Sequence, residues 1–212
     1  LYSSTATISV LARKSRKASE QEATEYVAAM LLAVSMMFLR FMILILIFSR
    51  EIFLSIYPYL LIMSVVSAIV GWFVHSRQKL PKDTSVESEE DDSSNPLEFK
   101  VALIFAVLFV VFTVLTHYTL VYAGTSGLNL LSFVSGFSDI TPFILNLLQN
   151  TGSVAVLIIT ACSMQAIVSN ILVNMFYALF FAGKRSKLRP WILGGFGAVI
   201  ACNLVLLLFF YL

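Results

Sequence analysis

Apolar residues run through this chain in unbroken blocks, without the alternation of a half-buried strand or the single stripe of a surface helix. Four blocks, Tyr26 to Phe48, Ile56 to Val74, Phe99 to Val121 and Trp191 to Tyr211, each approach or exceed the roughly 20 residues a helix needs to cross the hydrocarbon of a bilayer. A fifth, Val154 to Phe181, is as long but carries Ser163, Gln165, Ser169, Asn170 and Asn174. Helix is the expected conformation of all five, because backbone groups that face lipid must be satisfied inside their own segment. Pro58 and Pro190 lie near expected helix starts, and Asn95-Pro96 with Glu98 reads as a cap followed by a first-turn proline.

Two stretches break the pattern. Leu1 to Ala12 (LYSSTATISVLA) and Leu128 to Leu148 (LNLLSFVSGFSDITPFILNLL) are apolar enough for membrane depth but are interrupted by small and hydroxyl residues. Gly136, Asp139 and Pro142 in the second should interrupt a straight helix, so both stretches are expected to be discontinuous. Between the second and third spans lies RQKLPKDTSVESEEDDSSN, which reads as an acidic, solvated linker; the run Glu87 to Asp92 has carboxylates for a divalent cation but nothing to fix their geometry.

Composition narrows the class. The 212 residues are 59% hydrophobic and 12% charged, against about 45 to 50% and about 25% in an ordinary globular domain. A soluble enzyme is excluded by that balance, and a net charge of +2 without a basic aromatic stripe gives no reason to expect nucleic acid. Cys162 and Cys202 sit in apolar runs with no zinc or redox spacing. No HExxH, GxSxG or Walker-type loop is present, so neither catalysis nor a cofactor is expected. The chain begins at Leu1 and not at Met, which leads us to expect a C-terminal portion whose preceding part is a partner; a homo-oligomer is left open.

The chain also resembles itself. LYSSTATISVLA at Leu1 matches FSDITPFILNLL at Phe137, LAVSMMFLR at Leu32 matches TACSMQAIV at Thr160, and PYLLIMSVV at Pro58 matches PWILGGFGA at Pro190, in one order. This divides the chain into a partial first repeat (1–76), a linker (77–97) and a second repeat (98–212). Basic residues fix the topology: Arg13, Lys14, Arg16 and Lys17, then Arg77, Lys79 and Lys82, then Lys184, Arg185, Lys187 and Arg189 mark cytoplasmic connections. The weakly charged turns at Ser49 to Leu54 and Ala123 to Gly127 then face outside. Only if Leu128 to Leu148 dips in and returns does the loop at Lys184 fall inside. The expected fold is therefore an all-α polytopic membrane protein with inverted repeats and re-entrant segments, the general plan of many secondary transporters and some channels.

Charge inside a span singles out residues. Arg40 stands well within Tyr26 to Phe48, where insertion costs about 2.5 to 3.5 kcal/mol, and Asp139 is the one acidic residue after Glu98. We expect both to face one polar cavity, paired or sharing a solute; a structural ion pair, or Arg40 reaching the headgroups, is the alternative. Ser3, Ser4, Thr5, Thr7 and Asn146 supply polar groups at the broken segments that can replace part of a hydration shell, or can simply cap short helices. Ser163, Asn170 and Asn174 share one helix face, as pore lining or as interhelical bonds. His75 and His117 read as interfacial, and Gly194, Gly195 and Gly197, with Ser64, Ala68 and Gly71 in the partner repeat, as sites of close helix packing.

The stretches SSTATISVLARK at Ser3, AVSMMFLRFMIL at Ala33, NPLEFKVALIFAVLF at Asn95 and SGFSDITPFILNL at Ser135 resemble, in order and over nearly the whole chain, membrane proteins of the MgtC/SapB group that carry the C-terminal domain of unknown function 4010. The family pattern G-L-x-D-x-D has a second acidic residue where this chain has Thr141, which puts a two-carboxylate site in doubt. The resemblance implies a multi-pass protein of the prokaryotic inner membrane and suggests a tie to magnesium. Taken together, the expected function is a transporter or channel for a small ion or solute, its path formed by Asp139, Arg40, Thr141 and the polar residues above. The alternative is a non-transporting regulator that binds a partner helix.

Overall fold

A chain whose polar backbone must be hidden from lipid satisfies it locally, and the described residues are helical nearly throughout. The computed structural model describes residues 4–17, 20–76, 96–150, 154–183 and 188–211. Among them are α1 (Ser4–Lys17), α2 (Glu20–Phe48), α3 (Arg50–Ser76), α4 (Pro96–Ser135), α5 (Ile140–Gln149), α6 (Val156–Ala182) and α7 (Leu188–Tyr211), with no strand. Five helices (α2, α3, α4, α6 and α7) contain stretches long and apolar enough to cross a membrane. The protein is therefore a multi-pass helical membrane protein. Ser3, the linker basics Arg77, Lys79 and Lys82, the acidic run, and Lys184, Arg185 and Lys187 lie outside the described residues.

Helix α6 is the centre of the bundle. Of its span 72% is buried, against 11% for α4, which packs through one narrow face. Phe38, Phe41, Phe143 and Phe196 from α2, α5 and α7 fill the space around it. Contacts between elements order the ends. The guanidinium of Arg13 sits 4.5 Å from the centroid of the Phe181 ring, so α1 and α6 finish together. A Cβ on Gly71 would stand 3.3 Å from the Ala28 carbonyl oxygen, and one on Gly195 would meet Leu31, which brings the end of α3 and the starts of α2 and α7 to that same end. At the other end Tyr59 donates to Asn203 Oδ1 at 2.6 Å, and Thr160 reaches Ser55 at 3.5 Å. Arg13, Lys14, Arg16 and Arg189 thus share one end of the bundle, while Arg50 and Glu51 offset each other at the opposite one.

Helix α4 is not straight. Gly124 takes φ 57° and ψ −146°, a region essentially closed to residues with a Cβ. The direction of the chain after it follows from arithmetic. At about 1.5 Å per residue, a straight run from Thr113 to Ser135 would travel about 33 Å, of which a ten-residue α5 could recover about 15 Å. Yet Asn146 on α5 donates to Thr113 Oγ1 at 2.8 Å, so the chain turns back at Gly124. The segment 125–135 then runs beside α6 in the same direction: Cys162 Sγ reaches Asn129 Oδ1 at 3.3 Å, Ser169 Oγ reaches the Phe133 carbonyl at 2.7 Å, and Asn170 Nδ2 reaches the Gly136 carbonyl at 3.2 Å.

Three sequence expectations are revised. Leu1 to Ala12 was expected to be broken, but from Ser4 onward it is one uninterrupted helix. Its hydroxyls bond back within the helix, as Ser9 Oγ does to the Thr5 carbonyl at 2.8 Å, and so do not open it. Pro58 does not start its helix but lies inside α3, which begins at Arg50. Gly194 and Gly197 face open space, and of these glycines only Gly195 and Gly71 permit close packing.

Candidate functional site

The break between the two short helical segments is built by three neighbours in sequence. Gly136 approaches α6 so closely that a Cβ would collide with Ser169 and stand 2.7 Å from the Asn170 backbone nitrogen. Asp139 then adopts extended dihedrals and caps α5: its Oδ1 accepts from the Thr141 backbone N–H at 3.0 Å and from Thr141 Oγ1 at 2.7 Å. An aspartate at this position satisfies one of the free donors of a helix start and sits favourably at its positive end. Pro142 falls in the first turn, where no donor is needed, so it terminates nothing.

Arg40 meets this cap from α2. Its Nη2 donates to Thr141 Oγ1 at 3.2 Å, and its guanidinium carbon lies 5.1 Å from the centroid of the Phe41 ring. Arg40 and Asp139 are joined through a relay: Arg40 donates to Thr141, which donates to Asp139. Among the described residues no direct ion pair joins the two. Arg40 Nε is buried and has no partner.

A second chain leads from the same break along α6. Asn170 Nδ2 reaches the carbonyls of Gly136 at 3.2 Å and Ser138 at 3.5 Å, and Asn174 Nδ2 donates to Asn170 Oδ1 at 3.1 Å. Asn174 is fully buried, and its Oδ1 accepts nothing. Thr5 and Thr7 lie toward the start of α1, half-buried. Because α1 and α6 run in the same direction and Arg13 meets Phe181, equal rise places Thr5 level with Val173. The starts of α1 and α5 and the end of the 125–135 segment thus come to the middle third of α6.

Other candidates stand apart. Ser163 bonds back to the Ile159 carbonyl at 2.8 Å and takes no part in either chain. Asn146 fastens α5 to Thr113 and to Asn150, whose Nδ2 donates to the Asn146 carbonyl at 2.8 Å. Ser4 begins α1, and Ser3 lies outside the described residues. His75 and His117 are exposed. Sequence reasoning missed the bond from Ser169 to the Phe133 carbonyl, Thr113 as the partner of Asn146, and the Tyr59–Asn203 pair joining α3 to α7. Asn203 as the lone amide of the last span was the available signal. Among the described residues no group of three or more His, Cys, Asp or Glu could hold a metal ion.

A family model described as a domain of unknown function, DUF4010, matches residues 1–182. The chain is 29% identical over 115 residues to an "Uncharacterized protein" of Aquifex aeolicus (strain VF5), covering 53% of this chain and 50% of that relative. It therefore spans about half the length of the curated relative it matches. No solved structure matches.

Proposed function

The chain belongs to the DUF4010 family, and from that premise we propose that it is a membrane transporter or channel for a small ion or solute, with its site where the starts of α1 and α5 approach α6. The observation that carries this reading is the charged relay Arg40–Thr141–Asp139, set at an interrupted helix inside an apolar bundle. Ionisable side chains at such depth cost several kcal/mol and are characteristically found lining ion or substrate paths. Broken backbone is tolerated there only against protein or a cavity. The orphan donor Arg40 Nε and the orphan acceptor Asn174 Oδ1 lie on the two hydrogen-bonded chains that start at the break, and each offers a solute an unused bond.

The inverted-repeat plan belongs to the same proposal. In the sequence match Ser4 falls opposite Ile140, and these are the first residues of α1 and α5. The packing partners are also exchanged: α1 touches α2 and α6 as α5 touches α6 and α2, α2 touches α7 as α6 touches α3, and α3 touches α7. On this reading 125–135 and α5 form a re-entrant pair entered from outside. The basic end, with Arg13, Arg16 and Arg189, faces the cytoplasm of a prokaryotic cell. The resemblance of the sequence to the MgtC/SapB group makes Mg²⁺ the first solute to try.

The test is flux into liposomes holding the full chain, with Mg²⁺, K⁺ and Cl⁻ as probes. Asp139→Asn keeps a capping oxygen and removes the charge; Arg40→Gln removes the cation. Flux in the parent protein, lost in both variants while each melts near the parent, is the expected result. Flux unchanged in both would end the proposal. No flux at all, with capture of a defined partner helix, would establish the regulatory reading instead.

A further inference from the structure

At the basic end of the bundle α1 and α6 finish side by side and leave between them an open groove of about 650 Å³, lined by Arg13, Arg16, Phe180 and Phe181. The guanidinium of Arg13 lies over the Phe181 ring. The Arg16 side chain runs past Gly183, its Nε 3.6 Å from where a Cβ would stand. We propose that this groove binds the phosphodiester headgroup of an anionic phospholipid of the surrounding bilayer, a site separate from the relay at Asp139.

Charge, level and shape support it. Among the carboxylates whose side chains the structure describes, none forms an ion pair with either arginine, and none lines the groove. The carbonyl ends of α1 and α6 point the same way, but each carries only about half an elementary negative charge. Two guanidiniums therefore leave the site positive, with planar donors suited to phosphate oxygens. The level is that of the headgroups, because α6 ends there after an apolar span and α1 ends beside it in a run of basic residues. Toward the bundle middle the groove continues as an apolar track. Phe180 and Phe176, one turn apart with ring centroids 6.3 Å from each other, are 68% and 63% exposed. Val10, one turn before Arg13, is 52% exposed. A headgroup held by the arginines would lay an acyl chain along these side chains, covering surface that the protein leaves bare. Free inorganic phosphate would use the arginines and leave the track uncovered.

The experiment is native mass spectrometry of the full chain released from nanodiscs of mixed phosphatidylglycerol and phosphatidylcholine. The parent should retain phosphatidylglycerol in preference to phosphatidylcholine. Each arginine near a membrane surface contributes a preference of roughly fivefold, so R13Q/R16Q should lose about 30-fold. R13K/R16K should keep most of it, as should K14Q, which removes an exposed charge that does not line the groove. Excess inorganic phosphate should displace little lipid. Retention in R13Q/R16Q equal to the parent's would overturn the proposal, as would an equal loss in K14Q, which would reduce the effect to net charge. Displacement of the lipid by inorganic phosphate alone would also overturn it.

Discussion

Thr141 decides what Arg40 and Asp139 can do together, because its hydroxyl is the only described atom that touches both. Thr141→Val keeps the shape and removes that hydroxyl. It should cost about 0.6 to 1.7 kcal/mol of stability, the range for bonds between membrane helices, and reduce flux, whereas Thr141→Ser should restore both; thermal melting in detergent and liposome flux check this. Gly136 is a second position where one atom matters. A Cβ there would collide with the Cβ and Oγ of Ser169 and press on the Asn170 backbone nitrogen, so Gly136→Ala should destabilise by about 1 to 3 kcal/mol. Gly194→Ala and Gly197→Ala, which meet nothing, should change the melting temperature little. The glycine content of the last span could be read in sequence; which of its glycines touch a neighbour could not.

At the scale of elements, α5 is too short to hold itself. Ten residues are marginal even for good helix formers, and this helix depends on its cap, its tether to Thr113 and its buried face of Ile140, Phe143, Ile144 and Leu147. Asp139→Ala should therefore cost about 0.5 to 2 kcal/mol, while Asp139→Asn, which still caps, should cost far less. Comparing the two melts separates the cap from the charge. Gly124→Ala places a Cβ in a region that costs of order 1 to 3 kcal/mol. It should loosen the 125–135 segment, measurable as faster amide exchange there than in α6. The interruption itself was legible from Gly136, Asp139 and Pro142. The turn at Gly124 was anticipated as a loop between Ala123 and Gly127, and it is made by one residue because a single open φ suffices to redirect a helix.

For the whole molecule, the proposed arrangement puts Ser49 and Gln149 on one side of the membrane and Lys14 and Ser76 on the other. Cysteines at these positions, in a background with Cys162→Ala and Cys202→Ala, should react with an impermeant maleimide from opposite faces. If Gln149→Cys reacted from the face of Ser76→Cys, the mirror arrangement would fail. The sequence by itself determined the spans, the interruption at Asp139 and the clustering of basic charge. Lipid acts on each segment separately, so length, apolarity and breaks within a segment are sufficient signals. Only the tertiary structure decided that Arg40 meets Thr141, 101 residues away, that Asn170 takes the carbonyls freed at Gly136, and that Ser163 does neither. In a uniformly apolar helix every face is compatible with lipid, so no periodicity marks the side that packs. That choice rests on close approach and on unsatisfied polar groups finding partners on other helices.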